Sequence, residues 1–118
     1  MKRTLLILVA LLAAGCQYEK FDVRNVEAPF GGDMTTERAS VPVGALVRAD
    51  VTALSKGGAA LATGGYVRSA NRNVLEVRLQ AGETQRFVLL GVSAGTTTLD
   101  FMAEDKVQFS VPATVYEP

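Results

Sequence analysis

Histidine and tryptophan are missing from this chain, and cysteine occurs once, at position 16. Without histidine, the commonest metal ligand and the commonest general base are gone. One cysteine cannot close an intramolecular disulfide. A catalytic thiol needs a base beside it, most often histidine, so Cys16 reads poorly as a nucleophile. No charge of either sign dominates: 12 Lys and Arg stand against 12 Asp and Glu. That balance leaves no electrostatic footprint for nucleic acid. A long amphipathic helix is absent as well. The one extended apolar run, within Thr4 to Ala14, covers 11 residues. As a helix it would reach about 16 Å, against about 30 Å of bilayer hydrocarbon. These absences point away from enzymes, metal sites and cofactors, and away from a transmembrane span.

What is present begins with a leader. Lys2 and Arg3 precede the unbroken apolar stretch Leu5 to Leu12, and small residues Ala13, Ala14 and Gly15 follow. This is the three-part layout of an export signal. The stretch Leu12-Ala13-Ala14-Gly15-Cys16 resembles the lipobox of bacterial lipoproteins. The resemblance implies cleavage between Gly15 and Cys16, with acyl chains on the sulfur and amine of Cys16 holding the remainder to a membrane. Two or more acyl chains anchor stably, each buried methylene contributing about 0.8 kcal/mol. Position 17 is Gln rather than the Asp that retains many enteric-type lipoproteins at the inner membrane, so the resemblance implies the outer membrane of a bacterial cell envelope.

Removing the first 15 of 118 residues leaves 103, the size of one domain. Lys2 and Arg3 leave with the leader, so 10 basic residues face 12 acidic ones, a formal charge of −2. Residues 16–38 read either as a tether or as a first edge strand. Phe21 and Val23 alternate with Asp22 and Arg24, Val26 breaks the alternation, and Pro29 and Gly31-Gly32 punctuate the chain.

From Ala39 the pattern is that of strands. Val47, Ala49, Val51 and Ala53 share one face. Leu75, Val77 and Leu79 share another, as do Leu99, Phe101 and Ala103, and Val107, Phe109, Val111, Ala113 and Val115. Pro112 has no N–H to give a ladder and implies an edge or a bulge in the last strand. Gly57-Gly58, Asn71-Arg72-Asn73, Ala81-Gly82-Glu83 and Glu104-Asp105-Lys106 are turn signals. Short strands at this spacing predict an all-β, antiparallel sandwich of about seven strands over 39–118.

Four pieces of Ser40 to Val115 resemble a bacterial immunoglobulin-like domain of group 2, the type in invasin- and intimin-like surface proteins. They are Val41-Pro42-Val43-Gly44, the run from Ser69 to Val77, the run from Gly91 to Leu99, and the closing strand from Phe109. Tyr66 and Val67 stand where that family often carries Trp. The resemblance implies an immunoglobulin-like sandwich with a structural, adhesive or protein-binding role. The Gly91 to Leu99 text is also similar to periplasmic domains that accompany pilus secretins, which implies an accessory subunit of a secretion or pilus machine as the alternative.

The candidate sites are few. Asp100, Glu104 and Asp105 offer too few oxygens for calcium, which takes six to eight. Gly57-Gly58 and Gly64-Gly65 lack the helix start that a phosphate loop requires. Ser93 and Thr96 to Thr98 form a polar strip that could face a glycan, although threonine also favours strands. Phe87-Val88-Leu89-Leu90 is apolar on both faces. Val88 and Leu90 are therefore expected to be covered by the N-terminal segment or by an envelope partner, since exposed apolar patches mark such surfaces. An envelope hydrolase would need two carboxylates in one cleft, which the alternation does not suggest.

Overall fold

The computed structural model describes residues 17–61 and 64–118. Residues 1–16, which hold the expected leader, Gly15 and Cys16, lie outside the described residues, as do Ala62 and Thr63. Nine strands follow in order: β1 Tyr18–Glu27, β2 Asp33–Met34, β3 Ala39–Pro42, β4 Leu46–Ser55, β5 Gly65–Ser69, β6 Leu75–Leu79, β7 Arg86–Gly91, β8 Gly95–Ala103 and β9 Lys106–Tyr116. One sheet has the order β1-β4-β7-β6, the other β2-β3-β9-β8-β5. Every pairing is antiparallel except β3 with β9. Four strands on one layer, with a Greek-key exchange between layers, is the immunoglobulin-like arrangement. Among the described residues no helix is long and apolar enough to cross a membrane.

Residues 18–27, ambiguous in the sequence between tether and strand, form the ten-residue β1 against β4. The sandwich therefore begins at Tyr18, not at Ala39. Phe21 is the reason: its ring is buried and packs 5.2 Å from Phe101 and 5.9 Å from Phe109, centroid to centroid. Edge-to-face rings of this kind stabilise beyond their buried area, by about 0.5–1.5 kcal/mol per pair. Asn25 then takes a positive φ of 54°, and the register shifts between Arg24 and Glu27. This bulge turns Val26 outward and explains the broken alternation.

β4 alternates without fault, Val47, Ala49, Val51 and Ala53 inward. β7 places Phe87 and Leu89 on the same core. β6 follows its predicted face only in part. Leu75 is fully buried, Val77 half-buried and Leu79 exposed, because the strand runs outward at the sheet edge.

The pairing corrects one reading of β9, that of Val107. Val107 does not share the inward stripe. The register shifts between Phe101 and Met102, leaving Gln108 as the extra residue, so Val107 faces outward opposite Met102. Pro112 lies in an interior strand between β3 and β8. It is tolerated because β3 joins only at Ala113, one residue later, so that side of Pro112 is still free.

The sandwich has two distinct ends. The base holds Tyr18, the Ser55–Gly58 turn and the β8–β9 hairpin. The Tyr18 N–H donates to Glu104 Oε1 there. The tip holds the Ala28–Gly32 turn, the Pro42–Ala45 crossing between sheets, and Val92.

Candidate functional site

At the tip, Phe30, Pro42, Val43, Gly44, Ala45 and Pro118 line an open cleft of about 360 Å³. None of these side chains titrates. The crossing builds its floor. The Val43 N–H donates to Tyr116 O at 2.9 Å, Gly44 N–H to Gly91 O at 2.8 Å, and Gly91 N–H to Ala45 O at 3.0 Å. A Cβ on Gly91 would lie 2.3 Å from Pro42 O, so only glycine lets the two sheets close at this point. One wall is the Ala28–Gly32 turn, in which Gly31 N–H donates to Ala28 O. Gly31 and Gly32 both take φ near 98°, and a Cβ on Gly32 would meet Ser40 O at 2.4 Å. The turn is thereby pressed onto β3 while Phe30 is thrown outward, 70% exposed. Phe30 is thus a large aromatic left in water beside an apolar cleft. In the sequence, Pro29 and Gly31-Gly32 read as punctuation. The sequence could not show that Pro42 and Pro118 converge with Phe30, because the three lie in different parts of the chain.

A second depression, about 340 Å³, lies on the outer face of the four-stranded sheet near Asp22, Arg24, Asn25, Asp50, Thr52 and Gln85. Its polar groups are largely spoken for. Arg24 pairs with Asp22, and Thr52 Oγ1 donates to Gln85 Oε1 at 3.0 Å. Asp50 accepts from Asn25 Nδ2 at 2.8 Å and from Arg86 Nη1 at 3.0 Å. The Asn25 and Arg86 hydrogen bonds hold the Asp50 carboxyl below the usual carboxylate range, against a smaller opposing effect of burial. Side chains that satisfy one another leave little to recognise a ligand.

Val88 and Leu90 project from the same outer face and are half-buried. Val88 stands between Arg48 and Arg78 in register, and Leu90 between Leu46 and Glu76. Arginine stems cover apolar neighbours while their heads stay in water. β1 continues the sheet beyond β4, two strands from β7, so it does not lie over either residue. Cover was expected from the N-terminal segment or from an envelope partner; β1 does not give it, and the flanking strands cover both residues in part.

The remaining candidates separate. Asp100 points away from the hairpin carboxylates; it accepts from Arg68 Nε at 3.2 Å and Ser110 Oγ at 2.6 Å. Among the described residues no group of three or more potential ligands could hold a metal ion. Gly58 closes a turn with a φ of 82°, its N–H on Ser55 O. Thr96 and Thr98 are exposed on β8, opposite Thr114 and Pro112.

No protein-family model matches the sequence, and no curated protein matches it either. Solved structures do. Domains 4 and 5 of the S-layer protein SbsC share the fold with a TM-score of 0.56, at 20% identity over 81% of this chain and 53% of that one. A structure of SbsC domains 1–6 gives a TM-score of 0.58 at 20% identity, over 84% of this chain and 14% of that one. SbsC domains 5–6 give 0.56 at 21% identity, over 82% and 45%. This chain thus spans about half or less of each. At such identity the likeness is one of fold, and that fold is an all-β, immunoglobulin-like sandwich.

Proposed function

We propose that the chain is a bacterial cell-envelope lipoprotein, acylated at Cys16, whose immunoglobulin-like domain does structural or protein-binding work at the membrane. The observation that carries the reading is the lipobox-like Leu12-Ala13-Ala14-Gly15-Cys16, with strand pairing starting at Tyr18 immediately after it. The likeness in fold to S-layer domains supports a structural role at the cell surface. The apolar tip cleft fits an envelope protein that offers an apolar side chain, and it is favoured over Val88 and Leu90 because Phe30 is far more exposed.

Mass spectrometry of the envelope fraction tests this, comparing wild type with Cys16→Ser. The expected result is an acylated peptide beginning at Cys16, and a variant released from the membrane. An unacylated chain that keeps residues 1–15 would overturn the reading. Cross-linking in the envelope then identifies the protein held at the tip.

A further inference from the structure

Three lysines follow Cys16 in the sequence, Lys20, Lys56 and Lys106, and all three are exposed at the base of the sandwich. Lys20 pairs with Leu54 near the end of β4, Lys56 lies in the turn directly after β4, and Lys106 opens β9. The chain also enters the fold at this end. Tyr18 is already paired with Ser55, and its N–H is held by Glu104. Cys16 is two residues earlier, so its Cα lies within about 7 Å of that of Tyr18 whatever path the chain takes. An anchor so close gives the domain little freedom to swing.

We propose that the base is a membrane-facing surface, resting on lipid headgroups with Lys20, Lys56 and Lys106 among the phosphates. The inference depends on the acylation of Cys16 proposed above and adds an orientation to it. β1, ten residues long, spans about 33 Å at roughly 3.3 Å per residue. The tip cleft is then held about that far from the bilayer, facing outward. Glu19, Glu104 and Asp105 lie at the base too and balance the three lysines. The base therefore has no net attraction at long range, and the acyl chains supply the affinity. Contact favours the lysines, whose long stems carry the charge out to the phosphates, whereas Glu104 is turned back onto the Tyr18 N–H.

The test uses the acylated protein in vesicles of phosphatidylethanolamine and phosphatidylglycerol carrying some nitroxide-headgroup lipid. With the Cys16 sulfur acylated, a cysteine introduced at Gly57 or at Val92 is the single free thiol for a fluorophore. Gly57 accepts a side chain, with Ser55 Oγ the nearest atom at 3.9 Å, and Val92 is about half exposed. The label at the base is expected to be quenched several-fold more than the label at the tip. Replacing all three lysines by glutamine should lower quenching at the base and leave the tip unchanged. Equal quenching at both ends, in protein whose acylation is verified by mass, would overturn this inference alone. An unchanged base signal in the lysine variant would remove the lysines from the contact. A chain without acyl groups would overturn both this inference and the lipoprotein reading.

Discussion

Arg86 on β7 and Asp50 on β4 face each other in register, guanidinium Nη1 to carboxylate Oδ1 at 3.0 Å. Arg86 also pairs with Glu27 and donates to Asn25 O, so one side chain ties β7 to both β4 and β1. The Arg86 side chain is only 12% exposed, and Asp50 is about one third exposed. Asp50→Asn removes the charge from this tie. Charge-assisted hydrogen bonds contribute about 1.5–3 kcal/mol when shielded, and solvent around Asp50 reduces that. A loss of about 1–2 kcal/mol is expected at pH 7, read from urea unfolding. The Asn25 and Arg86 hydrogen bonds lower the Asp50 pKa. Its contribution is therefore complete above the unfolded carboxylate value, about 3.9, and is lost as the pH falls through the lower folded value. The gap between wild type and Asp50→Asn should close below about pH 4 and stay constant above about pH 5.

Gly65 tests how tightly the two sheets meet. A Cβ there would lie 2.7 Å from both Ala53 Cβ and Phe21 Cε1. Its backbone φ is ordinary, so the obstacle is volume alone. Gly65→Ala should cost about 1–3 kcal/mol by overpacking. Truncating the ring in the same chain, as Phe21→Leu, should recover part of that loss, since the pair is in contact and the two effects do not add. Full additivity in a double-mutant cycle would show that Gly65 is required for another reason.

These contacts also explain what the sequence could and could not show. β4 was legible because one of its faces is wet and the other dry, which gives strict alternation. The β8–β9 turn was legible from three consecutive polar residues. β1 was not, because its bulge at Asn25 interrupts the alternation halfway along. Val107 was misplaced because one extra residue, Gln108, reverses which face a side chain takes. The tip cleft was invisible for another reason. Phe30, Pro42 and Pro118 are each ordinary loop or strand-end residues, and only the crossing between sheets brings them together. The Glu104–Tyr18 contact spans 86 positions, and no local pattern signals it.

The β8–β9 hairpin carries removable strain. Glu104 and Asp105 form a two-residue connection with φ of 55° and 60°. Tight hairpins prefer this twist, with glycine favoured at the second central position. A non-glycine residue in the left-handed region costs about 1–2 kcal/mol, and glycine loses more backbone entropy on folding. Asp105→Gly should therefore raise stability by about 0.5–1 kcal/mol. Glu104 should be left in place, because its carboxylate holds the Tyr18 N–H. A rise of a few degrees in the melting temperature would carry the point, and a fall would show that Asp105 makes an interaction worth more than its strain.

Phe30→Ser separates function from folding. The ring is mostly in water and belongs to no part of the buried core. Its removal should change the stability of the isolated protein by no more than about 0.5 kcal/mol. If the tip cleft engages an envelope protein, the same change removes an aromatic anchor. Anchors of this kind contribute about 2 kcal/mol or more, roughly thirtyfold in affinity. Cross-linking at the envelope should then fall sharply while the unfolding curve stays in place. The pair Val88→Asp and Leu90→Asp is the comparison. Each new carboxylate lies beside Arg48, Arg78 or Glu76 on the outer sheet face, so folding should tolerate the first better than the second. Cross-linking lost with the Asp pair but kept with Phe30→Ser would move the partner from the tip to that sheet face.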